Sequence, residues 1–217
     1  MDVHLPHKRI DSWREFFIHL ATITVGLLIA LGLEGAVEWK HHRNLVHEAG
    51  TNIRLEITDN QNLLKKDIVS IQRDEERIAA NLQLLSSLRK NHVLPKDSKL
   101  SYTLEWSGFD DSAWKTARDT GALGYMEYKE VQGFADLYSE QDIVNARAVE
   151  LFHEQPKTIS AMFIYGSPGD PSKLTSSELN GVLQRSADIL IELKVLEQVL
   201  TQLDSQYASA LQRIMPR

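Results

Sequence analysis

The chain has no cysteine, only 11 glycines and 6 prolines in 217 residues, and no excess of basic charge: 24 Lys and Arg stand against 30 Asp and Glu, a formal net charge of -6. Without cysteine there is no disulfide framework, no thiolate nucleophile and no thiolate metal site. That absence fits an exported domain without demanding one. The acidic balance, with no basic block interleaved with aromatics, argues against a nucleic-acid partner. Few glycines and prolines, against abundant Leu, Ala, Glu, Gln and Lys, point to an all-helical body. A phosphate-cradling glycine loop, a Gly-x-Ser-x-Gly elbow and a His-Glu-x-x-His helix are also missing, so no common enzyme motif is present.

What is present, first, is one long apolar run, residues 16–37 (FFIHLATITVGLLIALGLEGAV), with no ionisable group before Glu34 except His19. A helix needs about 20 mostly apolar residues to cross a hydrocarbon core of roughly 30 Å. A cleaved signal would have an apolar core of about 7 to 15 residues ahead of a small-x-small site. Here the run is longer, and the one tolerable site, Ala30-Leu31-Gly32, falls inside it. His19, Thr22 and Thr24 soften the apolarity, as the core helix of a soluble bundle would, but the reading that accounts for the whole run is an uncleaved membrane span. Lys8, Arg9 and Arg14 precede it and Lys40 and Arg43 follow, a nearly even balance in which the denser leader favours a cytoplasmic N-terminus. The chain then divides into a cytoplasmic tail (1–15), a transmembrane helix (16–37) and an exported helical-bundle domain (38–217).

Within the span, Thr22, Gly26 and Ala30 recur every four residues, a small-xxx-small ladder that lets two helices approach closely in lipid. His19 and Glu34 lie near the two ends of roughly the same face. Ionisable groups in a membrane are tolerated by facing a partner or water. In the plainer reading Glu34 reaches the headgroups and His19 snorkels at the opposite edge. In the sharper one this polar and small stripe is the seam of a homo-oligomer, and a ring of His19 and Glu34 around its axis would be an ion or proton channel. Trp13, Trp39, Lys40 and Arg43 are interfacial anchors, with membrane lipid as the obligatory partner.

Beyond the span, Val46, Ala49, Ile53, Ile57, Asn60, Leu64, Ile68, Ile71, Ile78, Leu82 and Leu85 recur mostly at three- and four-residue steps, predicting an amphipathic helix of coiled-coil character that continues from the membrane. From Trp13 to about Asn91 it would be on the order of 120 Å long, with Gly50 as its flex point. Pro95 ends the pattern. Asp110, Asp111 and Ser112 offer caps for a short helix that Gly121 stops. A further helix follows over 125–154, with Pro156 expected to end or kink it, and 165–173 (YGSPGDPSK) is a loop. Thr175 with Glu178 forms a capping box for the last helix, whose stripe runs from Leu179 to Leu211. The first and last long helices cannot bury their stripes alone and should pack antiparallel, giving an antiparallel bundle of about four helices.

Trp106, Trp114, Tyr125 and Tyr138 gather in the middle section, either as packing between short helices or as a ligand pocket. Asp110 and Asp111 read as caps rather than an acid/base dyad, and Asp74, Glu75 and Glu76 read as a solvated face. Two helical Glu-x-x-His pairs, Glu38 with His41 and Glu150 with His153, have the spacing of di-iron bundle ligands, and His41, His42 and His47 could hold a metal weakly. Eight His among thirty acids make such pairs common by chance, so neither metal nor cofactor is expected.

The order of Trp13 to Phe17 (Trp-x-Glu-Phe-Phe), Thr24 to Leu31 (Thr-Val-Gly-Leu-Leu-Ile-Ala-Leu), Asn52 to Glu56 (Asn-Ile-Arg-Leu-Glu), Ala113-Trp114, Thr120 to Leu123 (Thr-Gly-Ala-Leu) and Leu137-Tyr138 resembles a group of uncharacterised bacterial single-span membrane proteins, over most of the chain. The resemblance implies an inner-membrane location and a helical extracytoplasmic domain, and no activity. The function expected on these grounds is a non-enzymatic, self-associating membrane protein whose bundle is a structural or interaction module. The alternatives are a four-helix ligand sensor signalling through an unidentified membrane or periplasmic partner, and the oligomeric channel.

Overall fold

The computed structural model describes residues 13–92, 94, 98–165 and 171–214. The chain is all-α. Its helices are α1 (Trp13–Asn91), α2 (Ser112–Asp119), α3 (Tyr128–Tyr165) and α4 (Ser176–Ile214), with 3-10 turns at Ala122–Tyr125 and Pro171–Lys173 and no strand among the described residues. Two compact units result, 1–48 and 49–217. The second begins at Ala49 rather than directly after the apolar run, because Ala49 and Gly50 are the first buried residues of α1.

In the first unit, α1 is long and apolar enough to cross a membrane, and none of the apolar window is buried by the chain itself. Trp13 stacks on Phe16 at 5.8 Å and meets Phe17 edge-on at 5.1 Å. At the other end the Arg43 guanidinium lies 5.4 Å from the Trp39 ring centroid. These aromatic ends are separated by about 39 Å of helix at about 1.5 Å per residue, close to the thickness of a bilayer with its headgroup regions.

In the second unit the core is built on a strict heptad of α1. Ile57, Leu64, Ile71, Ile78 and Leu85 are fully buried at seven-residue steps. Asn60, Asp67, Asp74 and Asn81, also seven apart, are buried between them. α3 runs parallel to α1, since Arg54 pairs with Glu130 and Asn60 with Gln141 further along both helices. α4 runs antiparallel: Gln61 donates to Asp204 at 3.0 Å and Gln72 to Glu197 at 2.6 Å. The antiparallel pairing of the first and last helices is thus as their stripes require. Between α1 and α2, however, the chain returns not as a helix but as an extended strap, residues 98–111. Its Leu100, Tyr102 and Leu104 point into the core while Ser101, Thr103 and Glu105 face out, the two-residue alternation of extended chain.

Two expectations are corrected. α3 continues through Pro156 to Tyr165, so that proline does not end it. An interior proline costs about 3 kcal/mol, which the long packed stretch upstream of it, with Phe134, Tyr138, Val144, Ala148 and Leu151 buried, outweighs. Asp74 is not on a solvated face: it is 1% exposed, whereas Glu75 is half-buried and only Glu76 is open to solvent. The helix also passes Gly50 without a break, and a Cβ there would stand 3.1 Å from Arg54 Nη1. The glycine makes room for the guanidinium that Glu130 binds at 2.7 Å.

Candidate functional site

Thr22, Gly26 and Ala30 are all exposed, and a Cβ at Gly26 would meet nothing within 4 Å. The Thr22 hydroxyl donates to the Ile18 carbonyl at 2.8 Å, so its polarity is satisfied inside the helix and its outer surface is free to be packed. His19 and Glu34 are exposed as well. His42 lies 3.9 Å from Glu38, one turn away. Glu150 and His153 are both exposed, and no group of three or more metal-ligating side chains occurs among the described residues.

Along the bundle, the buried polar heptad of α1 is addressed to the main chain of the strap. Asn81 Nδ2 donates to the Ser101 carbonyl at 2.6 Å and its Oδ1 accepts the Ser101 N–H at 3.2 Å. Asp74 accepts the Glu105 N–H at 3.1 Å, and Arg77, paired with Asp74 at 2.8 Å, donates to the Thr103 carbonyl. Asp67 accepts the Ser107 N–H at 3.3 Å. Asn60 accepts the Asp110 N–H at 2.9 Å and donates to the Asp110 carbonyl at 2.6 Å. The match is metrical on average: seven helical residues rise about 10.5 Å, and the rungs at Ser101, Glu105, Ser107 and Asp110 average three extended residues apart, about 10 Å. An extended segment whose N–H and C=O groups lack a neighbouring strand must find other partners, and one heptad position of α1 supplies them.

The strap leads into a buried knot around Glu56. This carboxylate accepts from the Ala113 N–H at 2.7 Å, the Trp114 N–H at 3.3 Å, the Ser112 hydroxyl at 3.0 Å and the Tyr138 hydroxyl at 2.5 Å. The N-terminus of α2 is therefore capped by a side chain from α1, while Asp111 makes no capping bond and Asp110 accepts the Ser112 N–H at 3.0 Å. Burial and the adjacent Glu56 carboxylate hold the Tyr138 phenol far above its usual range. Trp114 stacks on Tyr138 with centroids 5.3 Å apart. Next to them, Tyr207 donates to Gln141, which Asn60 Nδ2 also reaches at 3.3 Å. Glu56 is buried, and these four donors from α2 and α3 share its two oxygens.

Of the four aromatics, the fold brings together Trp114 and Tyr138. Trp106 instead packs edge-on against Phe109 at 5.5 Å, and Tyr125 is exposed. A groove of about 1140 Å³ lies elsewhere: between the start of α3 and the end of α4, lined by Arg54, Glu130, Leu137, Glu140, Gln202 and Ser205 among others. No protein-family model, curated protein or solved structure matches the chain.

The polar heptad and Glu56 are the residues that sequence reasoning missed. A signal was available: four short carboxamide and carboxylate side chains at exact seven-residue intervals, in the register of the buried stripe, are an unusual burden for a helix unless something meets them.

Proposed function

We propose that this chain is a non-enzymatic single-span protein of the bacterial inner membrane that self-associates through its span, with its N-terminus cytoplasmic and its bundle exported as an interaction module. The supporting observation is a contrast between the two units. The bundle consumes its own amphipathic stripes: the apolar heptad from Ile57 to Leu85 is fully buried within one chain, so a coiled coil between chains has no seam left there. The span consumes none of its surface, and the Thr22, Gly26 and Ala30 face is open along its length. In lipid, small residues at such a spacing favour close helix approach because packing, not hydrophobicity, drives association. The ligand-sensor alternative has a foothold in the groove by Arg54 and Glu130 rather than in the four aromatics.

The test is the mass of the full-length protein in nanodiscs, by light scattering with lipid subtracted, for the wild type and for Gly26→Ile. A discrete oligomer that Gly26→Ile converts to monomer is the expected outcome. A wild-type monomer, or an oligomer indifferent to the substitution, overturns the proposal.

A further inference from the structure

The apolar run ends differently on its two sides. Trp13 is packed on rings, stacked on Phe16 and edge-on to Phe17, whereas Trp39 carries the Arg43 guanidinium 5.4 Å from its centroid. In the bundle an acid holds such a cation: Glu130 meets Arg54, Asp74 meets Arg77 and Glu192 meets Arg147. Arg43 and Lys40 meet no acid among the described residues, while Glu38 lies 3.9 Å from His42. At 3.6 residues per turn, Ala36, Trp39, Lys40, Arg43 and His47 fall within an arc of about 100°, and Glu34, Glu38 and Glu48 fall outside it. Trp39, Lys40 and Arg43 are all exposed. This face is cationic, free of acid and adjoins the apolar run: Lys40 is about 4 Å and Arg43 about 9 Å beyond Val37, at about 1.5 Å per residue. The headgroup layer on each side of the hydrocarbon is about 5 to 8 Å deep, so both cations reach it.

We propose that Trp39, Lys40 and Arg43 form a site for one anionic phospholipid, in the leaflet at the C-terminal end of the span. The site rests on the reading of residues 16–37 as a span and not on self-association. Lys40 and Arg43 are three residues apart, which sets their Cβ atoms about 5 to 6 Å apart on one helix face, so both side chains can reach the same phosphodiester. Arg43 brings a planar fork of N–H donors that matches two phosphate oxygens, and Lys40 brings a point charge. The indole lies against the guanidinium, leaves the donors at its edge open and restricts the side chain before the phosphate arrives. A zwitterionic headgroup carries its own ammonium beside the phosphate and offsets the two cations. A headgroup without an amine keeps its full charge, and each Lys or Arg at the membrane surface then contributes about fivefold in affinity.

Trp39 is itself the reporter. The full-length protein carrying Trp13→Phe is placed in vesicles of equal phosphatidylglycerol and phosphatidylcholine, with bromine high on the acyl chains of one lipid at a time. Quenching of tryptophan emission, normalised for each protein to its emission in unbrominated lipid, gives the relative affinity of the two lipids beside Trp39. Trp106 and Trp114, which pack on Phe109 and Tyr138, add a background common to both samples. Phosphatidylglycerol is expected to be favoured about 25-fold, from two cations at about fivefold each. Arg43→Gln and Lys40→Gln should each cut that preference about fivefold, and the double substitution should remove it. Arg14→Gln, at the other end of the run, should leave it unchanged. Equal quenching by the two lipids, or a preference that Arg14→Gln lowers as much as Arg43→Gln does, overturns the site and leaves the span standing. No quenching by either lipid overturns both, because Trp39 is then not at a bilayer.

Discussion

A single carboxylate, Glu56, joins three elements by accepting from the start of α2 and from Tyr138 of α3. Its location is the reason it matters: the four donors it serves lie 56 to 82 residues further along the chain. Hydrogen bonds to a buried charged group contribute about 1.5 to 3 kcal/mol, so Glu56→Ala, which orphans all of them, is expected to lower stability by about 3 kcal/mol. Glu56→Gln keeps the shape but presents a donor to donors, and a loss of about 1 to 2 kcal/mol is expected. Tyr138→Phe removes one bond and should cost about 1 kcal/mol, with less added in the Glu56→Ala background. Thermal unfolding followed by circular dichroism reads all four proteins; additive losses would show that the hydroxyl and the carboxylate act independently.

At the scale of elements, the strap replaces what would have been a descending helix. Fourteen extended residues cover a length that would require roughly twice as many in a helix, at about 3.3 Å against about 1.5 Å per residue. The arrangement depends on the α1 heptad having one apolar and one polar position per repeat. Filling the polar position with a hydrophobe is ordinarily stabilising in a helical seam, and here the opposite is expected. Asn81→Leu removes both bonds to Ser101 and leaves a buried N–H and C=O without partners, a loss of about 2 kcal/mol. Hydrogen exchange would place that loss in residues 100–103, and unchanged protection there would show that the ladder does not hold the strap. The Tyr102 hydroxyl makes a second hold at this end: it donates to Ser186 at 2.7 Å, because the Ser186 proton is engaged by the Val182 carbonyl at 2.7 Å.

For the molecule as a whole, buried acids decide how stability responds to pH. Burial raises the Asp74 carboxyl despite its bond from the Glu105 N–H and the charge of Arg77. Burial raises Glu75 as well, and the Glu197 carboxylate across the α1–α4 seam raises it further. With Asp67, which burial raises against its hydrogen bonds from Ser107 and Gly108, these groups stabilise the fold when protonated, so thermal stability is expected to increase as pH falls from neutral toward about 4.5, near the unfolded value of a glutamate. Asp110 acts oppositely: the Ser112 N–H holds its carboxyl below the usual range, and its contribution is lost only under more acidic conditions. Glu197→Gln keeps an acceptor for Gln72 while removing the like charge beside Glu75, and should add a few tenths of a kcal/mol at neutral pH. That gain should shrink toward about pH 4.5, where Glu75 is protonated; a gain independent of pH would point to packing instead.

The parts of this protein that are local in the chain were legible from residue types. The apolar run long enough to cross a membrane, the Thr175 to Glu178 capping box and the Gly121 stop each depend on a few neighbouring residues, and each is helical or capped where its pattern puts it. The helical class follows from composition in the same way. What lay beyond the sequence depends on partners far along the chain. A heptad of Asn and Asp in the register of the buried stripe says that something must meet it, but not what, until a strap some 20 to 50 residues later is laid against it. An acid at position 56 becomes a helix cap only when α2 starts beside it. Backbone polarity accounts for the difference: an extended segment without a neighbouring strand has to be satisfied by side chains, and tertiary packing alone decides which ones are within reach.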